Sequence, residues 1–167
     1  LYAGLFGLGS MVLLLAMQPA SHPASQPGAP SGEARFIGAK KCKSCHRAEA
    51  VGDQFGAWSE AKHAKAWEVL GGDEAKKLGA AVGIADPQQS GECLRCHVTA
   101  FGEDESRFKG KFDPKLGVQC ESCHGPGSEH MAARFTAAAS LGEGEELPPY
   151  TEIPAGEIIS SPPMKTC

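Results

Sequence analysis

The first hydrophobic residues of the chain form a run at positions 5–17, inside a stretch, residues 1–32, that contains no Asp, Glu, Lys or Arg. A run of this length is typical of a signal peptide and is short for a membrane span. No basic residue precedes it, and residues 18–20 are a poor cleavage site. We therefore expect residues 1–20 to be a signal peptide or N-terminal anchor whose start is missing from the sequence.

A polar segment at residues 21–35 follows this run and is rich in Pro, Ser, Ala and Gly, with no hydrophobic period. This composition predicts a linker. His22 lies within it and is either a metal ligand or, as its context favours, a spectator. We expect residues 36–167 to form one domain, because a chain of this size commonly does.

The hydrophobic pattern acquires a helical period at residues 58–70. His63, Trp67 and Leu70 fall on one stripe there, with Ser59 as the predicted cap and Gly71 as the predicted end. His63 therefore lies on an apolar face. In most proteins such a histidine belongs to the core, whereas in a protein with metal centres it is a candidate ligand.

Further helices are predicted over residues 73–84, capped by Asp73, and from Ser128 to about residue 141, where Ser128 is the predicted cap. Residues 86–91 and 101–118 mix charge, Gly and Pro, and we expect loops or an irregular hairpin there. The acidic and then Pro-rich residues after position 142 are predicted to wrap the core as an extended segment. The pattern as a whole predicts a mainly α, loop-rich fold with little strand.

Composition and charge limit both the core and the partners. The chain has 21 Gly and 12 Pro, and only 7% of its residues are aromatic, so its core is thin. Its formal net charge of −4 argues against nucleic-acid binding. Positive charge is concentrated at Lys40, Lys41, Lys43 and Arg47. These residues form either a surface that steers an acidic partner or a solvated basic face.

Six of the seven cysteines fall into three Cys-x-x-Cys-His motifs, at residues 42–46, 93–97 and 120–124. This motif is typical of c-type haem attachment, in which both thiols bind the haem vinyl groups and the histidine binds the iron. We predict three haem c groups, around which the core of the domain is built. The predicted attachment residues are Cys42, Cys45, Cys93, Cys96, Cys120 and Cys123, and the predicted proximal ligands are His46, His97 and His124.

Other uses of paired cysteines explain the motifs less well. A zinc ribbon needs paired Cys-x-x-Cys units and no adjacent histidine. Thioredoxin-like motifs occur singly within a βαβ pattern, which this sequence lacks. Disulfide pairing would leave the three histidines unexplained. The motifs therefore favour haem over zinc or an iron–sulfur cluster.

The number of histidines limits how the irons are completed. After the three proximal ligands, His22, His63 and His130 remain. If His22 is a linker residue, at most two haems have a second histidine. The third is then five-coordinate, bound by Met131 or Met164, or completed from outside this chain. The axial ligands decide between electron transfer and binding of a small molecule.

Cys167 is the seventh cysteine and the last residue of the sequence. It is either the start of a fourth Cys-x-x-Cys-His motif or a C-terminal cysteine that is free or linked to a lipid or a partner. The missing start of the leader favours the first alternative. We therefore expect the domain to continue beyond residue 167, with a fourth haem.

The residues around the motifs resemble the cytochrome c-554 family from residue 36 to about residue 141. The resemblance rests on Phe36-Ile37-Gly38, on His63 with its following alanines, and most specifically on the sequence GVQCESCHGPGSEH at residues 117–130. Proteins of that family are tetrahaem periplasmic c-type cytochromes. Their haem arrangement is related to those of hydroxylamine oxidoreductase and the multihaem nitrite reductases.

The resemblance also implies a set of distal ligands. By this similarity, His63 would complete the haem of the third motif, and His130 would complete the haem of the first motif. The haem of the second motif would be five-coordinate. Cys167 would begin the fourth haem site.

Together these features predict an exported multihaem cytochrome, periplasmic or membrane-anchored, that transfers electrons between redox protein partners. We expect an electron carrier more than an enzyme, because the sequence shows no set of acid and base residues and no nucleophile apart from the predicted haem ligands. One alternative is a haem oxidoreductase that acts on a small nitrogen or sulfur compound at the five-coordinate haem. Another is a module of a cell-surface electron conduit. Nucleic acid is not an expected partner, and membrane contact is expected only through the N-terminal anchor.

Overall fold

The computed structural model of the chain describes residues 33–145, 153–154 and 156–162. The predicted leader, most of the linker including His22, and the residues around Met164 and Cys167 lie outside this part of the chain. The described residues form six α-helices joined by short 3-10 helices and loops. The α-helices are α1 (Ala39–His46), α2 (Gln54–Glu60), α3 (Asp73–Ala81), α4 (Gly91–His97), α5 (Glu121–His124) and α6 (Ser128–Ala139).

Strand structure is almost absent from the described residues. Only an isolated parallel bridge between Phe36 and Phe108 is present there. The Phe108 and Phe112 rings, 4.8 Å apart, pack on Phe36 and bring the 101–118 loop against the start of α1. The predicted mainly α, loop-rich fold is therefore confirmed.

The predicted helix over residues 58–70 is wrong in its bounds. Helix α2 ends at Glu60, and the chain continues as two 3-10 turns, Lys62–Lys65 and Glu68–Gly71. The break has a tertiary cause, because the carbonyl of His63 accepts a hydrogen bond from the Val118 amide at 3.0 Å. The same carbonyl accepts from the Ala66 amide at 3.1 Å. A tight local turn and a contact with a distant segment thus take the place of the continuous helical hydrogen bonding that the hydrophobic period alone would favour.

The predicted caps are also wrong. Asp53 caps α2, since its carboxylate accepts from the Gly56 amide at 3.0 Å, whereas Ser59 donates to the Gly56 carbonyl inside the helix. No side chain caps α3, which ends at Ala81. The Ser128 hydroxyl accepts from the amide of Arg35 at 2.8 Å and so serves tertiary structure instead of the start of α6.

The hydrophobic core of the described residues is small. Large apolar side chains remain exposed elsewhere, including Leu78 at 64% and Val82 at 72%. Exposed apolar surface of this kind marks a face that binds another apolar group. The arrangement is expected of a domain whose interior is completed by haem. The buried apolar residues are Ala34, Phe36, Ile37, Ala39, Leu70 and Val98, and the buried polar ones are Thr99, Gln119, Glu121 and Ser128.

Residues 117–130, which we call the central segment, hold the fold together. The side-chain oxygen of Gln119 accepts from the Ala39 backbone N–H at 2.8 Å, and the backbone N–H of Gln119 donates to the Thr99 hydroxyl at 2.7 Å. The Trp58 indole donates to the Val118 carbonyl at 2.8 Å. The central segment therefore contacts the start of α1, helix α2 and the residues that follow α4. It therefore joins the three Cys-x-x-Cys-His motifs through its hydrogen bonds.

Gly117 begins the central segment and has no room for a side chain. Its φ is +71°, and a Cβ there would lie 2.6 Å from the His63 carbonyl oxygen. We expect Gly117→Ala to lower the free energy of unfolding by about 1–3 kcal/mol more than Gly110→Ala does, the cost of forcing extra atoms into a packed site. Gly110 is the matched control, because its φ is +76° but nothing lies within 4 Å of a Cβ there. Equal losses in urea unfolding would contradict the close packing described.

Candidate haem sites

Each Cys-x-x-Cys-His motif lies on a short helix. The motif histidines are the last residues of α1, α4 and α5. Residues three and four apart in a helix lie on the same face, so in each motif the two thiols and the imidazole lie near one side of the helix. None of the six motif cysteines is disulfide-bonded or buried, and Cys45 and Cys96 are exposed. The six cysteines are therefore not committed to disulfides, as covalent attachment of haem requires.

The three motif histidines share one kind of contact: an oxygen acceptor faces Nδ1 of each ring. Such an acceptor keeps the proton on Nδ1 and leaves the Nε2 lone pair free for a metal. This is the tautomer that a proximal iron ligand needs, so the donor set fits haem iron. The pairs are His97 with the Ala66 carbonyl at 2.6 Å, His124 with the Ile159 carbonyl at 2.6 Å, and His46 with Gln54 Oε1 at 3.4 Å.

The rings of His46 and His130 are neighbours at the first motif. Their ring centroids lie 6.2 Å apart, and their planes are inclined by 32°. Two imidazoles that bind one metal from opposite sides, each through a metal–nitrogen distance of about 2 Å, have ring centres about 6 Å apart. The Nδ1 of His130 is held by Glu157 at 3.0 Å, which leaves its Nε2 for a metal as well. The geometry therefore fits an iron held between these two rings.

The second motif opens into an apolar cavity of about 510 Å³. This is within the size range of small-molecule and cofactor pockets. Its described lining includes Cys93 and His97 but no second histidine and no methionine. The cavity fits a haem face that has no distal ligand from these residues. The apolar lining residues are Val69, Leu70, Ala75, Leu78, Val82, Ile84 and Pro87.

The first and third motifs meet at two cysteines. The Cys42 thiol donates to the Gly38 carbonyl at 3.7 Å. Its interaction with the Cys120 side chain raises the pKa of Cys42 and lowers that of Cys120. Attachment of haem would convert both thiols to thioethers and remove the protons that titrate. The contact brings the attachment points of two predicted haems side by side.

Glu121 joins the same two motifs from the inside. Its side chain is 2% exposed, and its carboxylate accepts from the amides of Ile37 at 2.9 Å, Gly38 at 2.7 Å and Gly127 at 2.7 Å. Burial raises the pKa of the Glu121 carboxyl, while the amide donors oppose this shift by stabilising the anion. Sequence reasoning assigned no role to Glu121. Its place inside the third motif was the one signal that could have singled it out.

His63 lies on the Lys62–Lys65 turn, and its side chain is exposed rather than packed in a core. Its carbonyl binds the amide of Val118, two residues before Cys120. The His63 backbone is therefore close to the third motif. Within the described residues no ring contact joins His63 to His124, so ligation of the third haem by His63 stays a prediction.

Arg134 lies one turn after His130 on α6 and carries a buried donor. Its Nε has no hydrogen-bond partner among the described residues. A buried guanidinium donor requires an acceptor, and a carboxylate of bound haem is of suitable chemistry. No three His, Cys, Asp or Glu side chains in the described ranges converge to hold a bare metal ion. A haem iron needs only one or two protein ligands, because the porphyrin supplies the others.

The basic residues near the first motif lie on the exposed face of α1. Lys40, Lys43 and Arg47 line an open depression of about 370 Å³. Lys40 pairs with Asp113 at 3.1 Å, and the Lys43 ammonium lies 5.2 Å from the centre of the Phe55 ring. Arg47 and the neighbouring Lys41 are exposed. That this basic face steers an acidic partner toward the first haem site, and is not simply a solvated surface, stays a prediction.

Comparison with known proteins gives two matches. Residues 41–125, just over half of the chain, match the family described as cytochrome c554 and c-prime. The chain is also 41% identical over 101 residues to cytochrome c-554 of Nitrosomonas europaea, a match that covers 58% of this chain. The matched part spans about two fifths (41%) of the length of that relative. No solved structure is similar to the chain.

None of the helices within residues 33–145, 153–154 and 156–162 is long and apolar enough to cross a bilayer.

Proposed function

Because this chain belongs to the cytochrome c554 and c-prime family and therefore carries covalently bound haem c, we propose that it is an exported multihaem cytochrome that transfers electrons between redox protein partners. Haem c supplies one-electron iron chemistry when it is bound. The protein supplies the attachment thiols, the axial ligands and the spacing of the sites. We propose attachment at all three motifs, with His46, His97 and His124 as the proximal ligands.

The pairing of His46 and His130 carries this proposal. An iron with both axial positions filled by protein has no position left for a substrate, so it serves electron transfer. The ring spacing of 6.2 Å and the Nδ1 acceptors on both rings support such a site. We propose His63 as the distal ligand of the third haem by family resemblance, and the approach of its turn to Val118 supports that assignment.

The interaction between Cys42 and Cys120 supports rapid electron transfer between the first and third haem sites. Two haems attached at interacting residues lie close together, and the exposed face of α1 gives a partner access to the first of them. We propose that an acidic redox protein docks on that face, since a field of opposite charge raises encounter rates. Attachment of haem c occurs outside the cytoplasm, so we propose a periplasmic or otherwise exported location.

A second candidate function is favoured by the cavity beside His97. An iron that lacks a distal ligand there would have an open position toward an apolar pocket of about 510 Å³. Such a site would bind a small nitrogen or sulfur compound and act as an oxidoreductase. Electron carriage remains the leading proposal, because the described lining of the cavity offers one carboxylate, Glu74, and no other charged catalytic group besides the motif residues.

Spectroscopy of the holoprotein tests both proposals. We expect one high-spin haem that shifts on addition of cyanide, with the remaining haems low-spin. Replacement of Cys93 and Cys96 by serine should remove the high-spin signal and lower the haem count by one. The matched variant with serine at Cys42 and Cys45 should also lose one haem but keep the high-spin signal. A high-spin signal that survives loss of the second-motif haem would show that the open site lies elsewhere, and an all-low-spin spectrum would end the oxidoreductase alternative.

A further inference from the structure

We propose that Glu157 is a positioning residue: it orients His130 and lowers the reduction potential of the haem that His130 completes. The inference rests on the proposed function in one respect, that His130 is an axial ligand. It assigns a role to a residue 27 positions beyond His130 in the sequence, in the acidic and Pro-rich segment that the motifs leave unexplained.

Glu157 contacts α6 through both of its carboxylate oxygens. Oε2 lies 3.0 Å from His130 Nδ1, and Oε1 accepts from Arg134 Nη2 at 2.7 Å. The three side chains are largely enclosed, with 13% of Glu157, 16% of His130 and 24% of Arg134 exposed. An ion pair shielded to this degree is screened less than a surface pair. The imidazole of His130 is therefore held in one orientation.

Ile159, two residues after Glu157, binds His124, the other histidine of the central segment. Its carbonyl faces His124 Nδ1 at 2.6 Å, and its amide donates to the His124 carbonyl at 3.0 Å. Residues 157–159 thus hold both a proximal ligand of the third motif and the proposed distal ligand of the first. A short piece of chain fixes ligands of two haem sites at once.

The acceptor on His130 differs in charge from the others. His46, His97 and His124 face neutral amide or carbonyl oxygens at Nδ1, whereas His130 faces a carboxylate. A carboxylate acceptor makes an imidazole ligand more basic. A more basic ligand stabilises ferric over ferrous iron and so lowers the reduction potential. Among the sites described, we therefore expect the haem that His130 completes to have its reduction potential lowered most by the hydrogen-bond partner of its ligand.

Arg134 opposes this effect. Its guanidinium holds the Glu157 carboxylate in place at 2.7 Å, and it also offsets the field of that carboxylate at the iron. Removing Glu157 leaves a positive charge near the site, whereas removing Arg134 leaves a negative one. The two substitutions should therefore move one potential in opposite directions. General loosening of the site would move it in the same direction in both variants.

The test is a spectroelectrochemical titration of the full-chain holoprotein, with electron paramagnetic resonance to report spin state. We expect Glu157→Gln to keep the low-spin haems and to raise one potential, and Arg134→Gln to lower that same potential. Glu143→Gln removes an equal charge from an exposed position and should leave all potentials unchanged. Release of His130 in Glu157→Gln, seen as a new high-spin haem that matches His130→Ala, would also support the positioning role.

Two outcomes would overturn the inference. In one, Glu157→Gln leaves every potential and every spin state as in the wild type. In the other, Glu157→Gln and Arg134→Gln shift the potential in the same direction. Failure of the ligand assignment itself gives a different result, because His130→Ala would then leave every spin state as in the wild type. The two failures are therefore distinguishable.

Discussion

Replacing His130 with alanine is expected to convert one low-spin haem to high-spin without loss of any haem. His130 contributes no attachment thiol, so covalent binding at the first motif should persist. Its imidazole faces that of His46 at a ring spacing of 6.2 Å, and an alanine at this place has no group that can reach a metal. The iron of the first site should then bind cyanide, which the filled wild-type site excludes.

The control for this experiment is His22→Ala. His22 lies in the Pro-rich linker, where we predict a spectator, and its loss should leave the spectrum unchanged. Haem content is measured by mass spectrometry and spin state by electron paramagnetic resonance. Unchanged spin states in His130→Ala would show that His130 is not a ligand. A change in His22→Ala would show that the linker reaches an iron.

Replacing Glu121 with alanine is expected to cause the largest loss of stability. The substitution leaves the amides of Ile37, Gly38 and Gly127 buried without their acceptor. A buried donor without a partner costs about 1–3 kcal/mol, so we expect a total loss of about 3 kcal/mol or more. Since these amides lie just before the first motif and just after the third, the two motifs should also lose their fixed relative position.

Urea unfolding of the holoprotein measures this loss. The matched control is Glu60→Ala, because Glu60 is exposed at the end of α2, and exposed substitutions typically change stability by less than about 0.5 kcal/mol. We also expect Glu121→Gln to be destabilising, since its side-chain NH₂ would face a backbone amide where the carboxylate has a second acceptor oxygen. A loss in Glu121→Ala no larger than that in Glu60→Ala would contradict the role described for Glu121.

The cofactor class, covalently bound haem c, was predictable from the sequence. A Cys-x-x-Cys-His motif is local, so three attachment sites and their proximal histidines can be proposed without any knowledge of the fold. His130 was a candidate ligand from the sequence, because it lies close to the third motif and few other histidines are available, and the structure places its ring 6.2 Å from that of His46. The mainly α architecture followed from periodicity and from the scarcity of strand patterns.

The elements that depend on distant contacts were not predictable. The period at residues 58–70 is helical, yet the His63 carbonyl binds the Val118 amide and the helix ends at Glu60. Ser128 has the sequence context of a cap but binds the Arg35 amide instead. Glu157 lies in a segment with no period at all. Each of these roles depends on which residues meet in space, and local propensity contains no information about that.

The central claim is that the first haem iron lies between His46 and His130, with the central segment joining that site to the third one. Anomalous diffraction at the iron absorption edge from crystals of the holoprotein tests it most directly. We predict one iron peak midway between the Nε2 atoms of His46 and His130, and further peaks beside His97 and His124. An iron bound to His46 on one side, with His130 turned away or ligating a different iron, would contradict the claim.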